Sequence, residues 1–192
     1  MYIVFEGIDG SGKTTLCDSL SELLIQRGFK VKQLSEPSRS HIGFLLREQM
    51  KNSSLTQLSL SLLFAADSYH VQAQREEIYN REYDYIISDR NYLSTLAYQM
   101  TEVDADWLIT LHKYIAEPDY LFFLDVSIND AITRIGQRNY QQVYENRDML
   151  TRIKHNYDIS LGKMKLRNIY RLNTSELSIQ DEINMVLKCL GL

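Results

Sequence analysis

Residues 7–15 of this chain, GIDGSGKTT, combine the residue types and the spacing that bind a triphosphate. The stretch fits the pattern G-x-x-x-x-G-K-[ST], in which glycines let successive backbone N–H groups point at phosphate oxygens. Lys13 can reach the β- and γ-phosphates, and the Thr14 hydroxyl can bind Mg²⁺. The sequence therefore predicts a nucleoside triphosphate site. Its predicted phosphate contacts are Gly7, Ile8, Asp9, Gly10, Ser11, Gly12, Lys13, Thr14 and Thr15.

A second charged pair, Asp89 and Arg90, directly follows the apolar run at 85–88. An acid at such a strand end can hold Mg²⁺ directly or through water, and an arginine can clamp a phosphate with its planar fork of donors. Charged strand ends also occur without function, but a phosphate loop in the same chain favours the functional interpretation. The sequence lacks the D-x-x-G and N-K-x-D motifs of GTPase switches. A kinase for a small acceptor fits better.

Such a kinase needs a mobile segment that excludes water and balances charge. Arg134, Arg138 and Arg147 fall around a short polar stretch, which predicts a lid at about 136–143.

The elements that must position these residues alternate along the chain. Apolar runs with strand character recur at 2–5, 30–34, 85–88, 120–124 and 168–172. Helical periodicity fills the gaps at 13–27, 41–51, 55–80, 92–100, 104–116, 127–136, 145–162 and 176–190. This alternation predicts an α/β fold, a five-stranded parallel sheet with helices on both faces. Ligands of such sheets bind beyond the carboxyl ends of the strands, where the charged residues lie.

Length and charge restrict the function further. A chain of 192 residues with no linker or repeat is expected to form one domain, 1–192, and its net charge of −4 argues against a nucleic-acid binder. Cys17 and Cys189 lack metal-ligand spacing, which predicts reduced thiols in the cytoplasm. No apolar run is long enough to span a bilayer, so no membrane association is expected.

Taken in order, these motifs resemble the thymidylate kinase family, whose enzymes pass a phosphoryl group from ATP to thymidine monophosphate (dTMP). The resemblance covers almost the whole chain. It rests on 5–15, Glu36-Pro37, Ile42-Gly43, Arg47-Glu48, 62–67 (LLFAAD), Asp89-Arg90, 94–99 (STLAYQ), 118–126, Arg134, Tyr144-Glu145 and Tyr157. It implies a P-loop NTPase-type three-layer α/β/α fold, ATP as donor, Mg²⁺ as cofactor and a homodimer.

The resemblance also implies an acceptor site. Asp9 would bind the sugar 3′-hydroxyl, Tyr98 would disfavour ribonucleotides, and Phe64 would stack on the pyrimidine, while Thr95 and Gln99 would read the base edge. Glu36, Arg47 and Arg90 would surround the 5′-phosphate. The full predicted acceptor set is Asp9, Glu36, Arg47, Phe64, Ser68, Gln72, Arg90, Ser94, Thr95, Tyr98 and Gln99.

For catalysis the resemblance implies Lys13, Arg90 and Asp9, with Thr14 and Asp89 at the metal. Because the phosphate loop has Gly10 where some relatives carry arginine, a lid arginine is expected to complete the site. Arg138 is the first choice and Arg134 the second.

Two positions depart from the family pattern, Ser68 and Asn91. The family usually places a base-reading arginine at position 68. Gln72 lies four residues on, hence on the same helical face, and is a candidate substitute. An amide can donate or accept, so a kinase for dUMP or dCMP is an alternative. A deoxynucleoside kinase and a nucleotide-binding regulator are less favoured alternatives. At position 91 the family usually has an aromatic residue or histidine.

Overall fold

A computed structural model describes residues 1–52, 55–79, 83–137, 146–164 and 166–192 of the protein. Its centre is a sheet of five parallel strands in the order β2-β3-β1-β4-β5. The strands are β1 (Tyr2–Glu6), β2 (Val31–Ser35), β3 (Tyr85–Asp89), β4 (Tyr120–Asp125) and β5 (Ile169–Asn173). The predicted five-stranded parallel sheet is confirmed.

Helices cover both faces of this sheet. They are α1 (Lys13–Gln26), α2 (His41–Asn52), α3 (Gln57–Tyr79), α4 (Tyr92–Gln99), α5 (Ala105–Leu111), α6 (Ile128–Gly136), α7 (Arg147–Lys163) and α8 (Ile179–Leu190). One core joins α1 and α8 to the sheet through side chains such as Leu16 and Val186. The core on the opposite face joins α4 to α7 through Leu93, Phe123 and Tyr157. The three-layer prediction is therefore confirmed.

The largest difference from the sequence prediction is at α5, which ends at Leu111 instead of 116. Beyond this point the N–H groups of His112, Lys113 and Ile115 donate to carbonyls three residues back, so the chain tightens into turns. The side chain of Tyr69 from α3 donates to the Leu111 carbonyl at 3.0 Å. Side chains of α3 thus satisfy backbone groups that a longer helix would have used itself.

The turn between β1 and α1 forms the phosphate loop. Gly7, Gly10 and Gly12 have φ angles of +148°, +80° and +99°, a region that side-chain-bearing residues rarely adopt. At Gly10 a Cβ atom would come within 2.6 Å of the Ala131 carbonyl oxygen in α6. The loop therefore fits only with glycine at this position.

Residues 138–145, which include most of the predicted lid, lie outside the described residues. Among the helices that the structure does describe, none is both long and apolar enough to cross a membrane.

Candidate active site

A cavity of about 150 Å³ lies along the phosphate loop. Asp89 and Arg90 close its far side, at the end of β3. Six predicted phosphate-binding residues line it, namely Asp9, Gly10, Gly12, Lys13, Thr14 and Thr15. The start of α1 at Lys13 adds the positive end of a helix dipole to this cavity, which is a favourable setting for an anion.

Lys13 is buried and folded back over the loop. Its ammonium donates to the carbonyls of Gly7 and Ile8 at 3.0 and 2.8 Å and to the Ser11 hydroxyl at 3.3 Å. Burial lowers the pKa of Lys13 from 10.5 to about 8, and the nearby Arg90 acts in the same direction. The three remaining predicted loop residues, Gly7, Ile8 and Ser11, thus hold this lysine rather than line the cavity.

Thr14 and Asp89, the predicted metal residues, are in direct contact. The Thr14 hydroxyl donates to Asp89 Oδ2 at 2.6 Å. Asp89 Oδ1 is buried and has no hydrogen-bond partner within the described part of the chain. A hydroxyl beside an unsatisfied carboxylate oxygen is the donor chemistry that Mg²⁺ prefers. These residues therefore fit a magnesium ion.

A second cavity, of about 210 Å³, lies between α2, α3 and α4 and shares Asp9 and Arg90 with the first. Eight of the predicted acceptor residues line it, namely Asp9, Glu36, Arg47, Phe64, Arg90, Ser94, Thr95 and Tyr98. Four further residues line it that we did not predict as acceptor contacts, namely Pro37, Met50, Lys51 and Asn91. The two cavities thus meet at the Asp9 carboxylate and the Arg90 guanidinium.

Arg90 is held at this junction by several acceptors. It forms an ion pair with Asp9 at 2.6 Å and donates to the hydroxyls of Tyr98 and Ser94 at 3.2 and 2.8 Å. The Tyr98 hydroxyl in turn donates to the other Asp9 oxygen at 2.8 Å. The backbone of Arg90 has φ +75°, a strained value for a residue with a side chain. The surroundings therefore fix this guanidinium in place.

Glu6 and Tyr157 support this network, although the sequence did not identify them as site residues. Glu6 is fully buried and accepts from the Asn91 and Ser94 N–H groups at 2.8 and 3.2 Å, at the start of α4. The Tyr157 hydroxyl donates to Glu6 at 2.8 Å, and burial raises the pKa of this glutamate. An acid at the end of an otherwise apolar strand is the one signal that could have revealed it.

The turn after β2 forms the opposite wall of the second cavity. Arg47 of α2 donates to the Pro37 carbonyl and, at 2.6 Å, to the Ser38 carbonyl. Burial raises the pKa of Glu36 from 4.5 to about 8, against the opposing effect of a 2.6 Å hydrogen bond from Ser68. Glu36 is therefore mainly uncharged at neutral pH, which lowers its repulsion of a phosphate.

Three predicted acceptor residues do not line this cavity, namely Ser68, Gln72 and Gln99. Ser68 is buried behind Glu36. The Gln72 amide donates to the Tyr114 carbonyl at 3.0 Å and accepts from the Ala116 N–H at 2.6 Å. It therefore does not substitute for an arginine at position 68, because the turn after α5 engages both of its polar atoms.

The structure describes one of the two predicted lid arginines. Arg134 of α6 donates to the Gly10 carbonyl at 3.3 Å and to the Thr174 carbonyl at 2.7 Å, beside the phosphate loop. Arg138 lies outside the described residues.

Comparison with known proteins identifies the family of this chain. The family model described as Thymidylate kinase matches residues 5–183. A protein of Methanosphaera stadtmanae named "Probable thymidylate kinase" is 36% identical over 200 residues, covering 100% of both chains. Another of that name, from Methanobrevibacter smithii, is 38% identical over 161 residues, covering 82% of this chain and 79% of its own.

A solved structure of thymidylate kinase from Candida albicans superposes with a TM-score of 0.82 at 23% identity, covering 99% of this chain and 90% of that one. At that identity the superposition bears on the fold alone. The family-model match and the full-length relative carry the assignment: this chain is a kinase that belongs to the thymidylate kinase family.

Proposed function

We propose that this protein transfers the γ-phosphoryl group of ATP to dTMP, giving ADP and thymidine diphosphate. The observation that carries the proposal is the junction of two cavities at Asp9 and Arg90. One cavity is lined by the phosphate loop, and the other carries an aromatic ring, Phe64, and a second arginine, Arg47. Such an arrangement brings two phosphates together without a covalent intermediate.

Each group in the first cavity has a part in this reaction. The loop amides and the start of α1 hold the donor phosphates, and Lys13 Nζ moves from the loop carbonyls onto the β- and γ-phosphates. Phosphate charge raises the proton affinity of Lys13, so this lysine is protonated in the complex. Thr14 and Asp89 would hold Mg²⁺, which would supply charge neutralisation to the phosphates.

The second cavity orients the acceptor for in-line attack. Arg90 and Arg47 bind its 5′-phosphate beside the uncharged Glu36, and Phe64 stacks on the pyrimidine. The contact of Tyr98 with Asp9 places a bulky ring next to the sugar, which disfavours a 2′-hydroxyl. An arginine from the α6 end, Arg134 or Arg138, neutralises the transferred group, a contribution of about 10³–10⁵ in rate in related chemistry.

A coupled assay of ADP release with Mg²⁺-ATP tests the proposal. The acceptors are dTMP, dUMP, dCMP, purine deoxynucleoside monophosphates and thymidine. We expect dTMP to have the highest kcat/KM. Lys13→Ala is the control for the donor site and should lower kcat at least about 100-fold while the protein remains folded. Highest activity with thymidine or with a purine nucleotide would contradict the proposal.

The alternatives of a dUMP or dCMP kinase rest on Ser68 alone, and no relative named above favours them. The same assay separates them from dTMP, and slow turnover with every acceptor would indicate a nucleotide-binding regulator.

We further propose that residues 1–192 act as one domain in the cytoplasm and that the protein is a homodimer. The helices α2 and α3 pack on each other, and their apolar side chains Phe44, Leu45, Leu58 and Leu62 are between 41% and 61% exposed. Exposed apolar groups on neighbouring helices are typical of a protein–protein interface.

A further inference from the structure

Arg90 lines both cavities, and the two terminal nitrogens of its guanidinium have different partners. Nη2 lies 2.6 Å from Asp9 Oδ1 and donates to the Tyr98 hydroxyl at 3.2 Å. Nη1 donates to the hydroxyls of Ser94 and Tyr157 at 2.8 and 3.2 Å. The orientation of the guanidinium therefore depends in part on how these two hydroxyls are held.

One carboxyl group, that of Glu6 at the end of β1, holds both hydroxyls. Its Oε2 accepts from Ser94 at 2.7 Å and from Tyr157 at 2.8 Å. Its Oε1 accepts from the N–H groups of Asn91 and Ser94 at 2.8 and 3.2 Å. Glu6 and Tyr157 are fully buried, so they can influence a ligand only through other residues.

The two hydroxyls can accept from Arg90 only while their own hydrogens point elsewhere. A hydroxyl carries one hydrogen, and an ionised carboxylate can only accept. When Ser94 and Tyr157 donate to Glu6, their lone pairs therefore remain for Nη1. Burial raises the pKa of Glu6, while the charge of Arg90 and the donors at both carboxyl oxygens act in the opposite direction and favour the ionised form.

We infer that Glu6 is a positioning residue, which acts through two hydroxyls to hold Arg90 in the orientation that binds the acceptor phosphate. The inference rests on the part of the proposed function in which Arg90 binds that phosphate. Nη1 also donates to the Gly7 carbonyl at 3.1 Å, but a carbonyl oxygen accepts without any such alignment. Glu6 thus governs the two contacts of Nη1 whose direction can change, those with Ser94 and Tyr157.

The test measures the dissociation constants of dTMP and thymidine by titration calorimetry, because these two ligands differ only in the 5′-phosphate. Glu6→Asp keeps the charge but draws the carboxylate back by one methylene group. Tyr157→Phe removes only the hydroxyl, and its ring can stay packed on Phe123 at 5.2 Å. Both variants conserve the charge of the site, so a change in phosphate binding reports the position of Arg90.

Tyr92→Phe is the matched control. It removes the hydroxyl of another buried tyrosine, which lies in α4 like Ser94 but donates to the Glu117 carboxylate at 3.1 Å. We expect this variant to bind both ligands as the wild type does.

We expect the wild type to bind dTMP more tightly than thymidine. Glu6→Asp and Tyr157→Phe should each weaken dTMP binding about 10-fold, because a hydrogen bond to a charged group is lost, and leave thymidine binding unchanged. Equal losses for the two ligands would reduce both residues to a structural role and overturn the inference. Wild-type dTMP binding in both variants would also overturn it. If Glu6→Asp does not fold, Tyr157→Phe alone decides.

These constants are measured without turnover, so they separate the inference from the proposed function. A loss confined to dTMP in the variants of a protein that transfers no phosphoryl group to dTMP would support the role of Glu6 and refute the proposed function. A wild type that binds thymidine as tightly as dTMP would overturn the inference even if dTMP is turned over.

Discussion

The carboxyl group of Glu36 stands in the acceptor cavity with its charge suppressed by burial. Asp67 and Glu6 add to this effect, since their negative charges further disfavour ionisation. A neutral acid in the same cavity as Arg47 can donate a hydrogen bond to a phosphate oxygen, which an ionised one cannot.

The same burial makes stability depend on pH. The pKa of Glu36 is about 8 in the folded chain against an ordinary 4.5, so the folded state binds the extra proton between these values. Its contribution is complete below pH 4.5 and is lost as the pH rises through 8. Relative to Glu36→Gln, we expect the wild type to lose unfolding free energy over this window, by up to about 1.4 kcal/mol per pH unit.

Urea unfolding of both proteins between pH 5 and 9 measures this difference. Glu48→Gln, on the exposed side of α2, controls for the loss of a glutamate elsewhere. Parallel stability curves for the wild type and Glu36→Gln would show that Glu36 titrates normally.

At the scale of elements, the close approach of α2 to the turn after β2 shapes the acceptor cavity. A Cβ atom on Gly43 would lie 1.9 Å from the Ser38 carbonyl oxygen, which also accepts from Arg47. Neither the helix nor the turn can therefore keep its position if this glycine gains a side chain.

We expect Gly43→Ala to lower stability by about 1–3 kcal/mol and to raise the KM for the acceptor while the KM for ATP stays the same. Gly162→Ala is the matched control, because nothing lies within 4 Å of a Cβ there and α7 should gain about 0.5–1 kcal/mol. Thermal unfolding and steady-state kinetics on both variants measure the contrast. Loss of stability in both, or in neither, would contradict this account of α2.

The elements also show what the sequence could predict. The sequence located all five strands within one residue. The central strands β1, β3 and β4 are mostly apolar and buried, and the alternation of strands with helices placed the edge strands β2 and β5. The end of α5 was missed because the periodicity continues past Leu111, while the competing contacts come from α3, which is distant in sequence.

In the candidate site, too, local features were predictable from the sequence and contacts between distant residues were not. The phosphate loop was predictable because its glycines and lysine are local. The positions of Gln72 and Glu6 were not, since their partners lie 42 to 151 residues away in the sequence.

At the scale of the whole molecule, the exposed apolar residues of α2 and α3 are the proposed dimer contact. Leu62 is 52% exposed, and an arginine there would place an unpaired charge in a buried interface. We expect Leu62→Arg to weaken the dimer at least about 100-fold in sedimentation velocity experiments. Ile25→Arg, at 56% exposure on α1, should leave the dimer unchanged. A wild type that sediments as a monomer at all concentrations would refute the proposed assembly.

The close packing of Gly10 against α6 limits which substitutions this loop can accept during evolution. Because the Ala131 backbone occupies the space of a Cβ at this position, a single codon change cannot install a working loop arginine here. A lineage that moved its phosphate-neutralising arginine from lid to loop would first have to displace α6. In the proposed mechanism, the packing of α6 against Gly10 therefore leaves this positive charge to an arginine outside the loop.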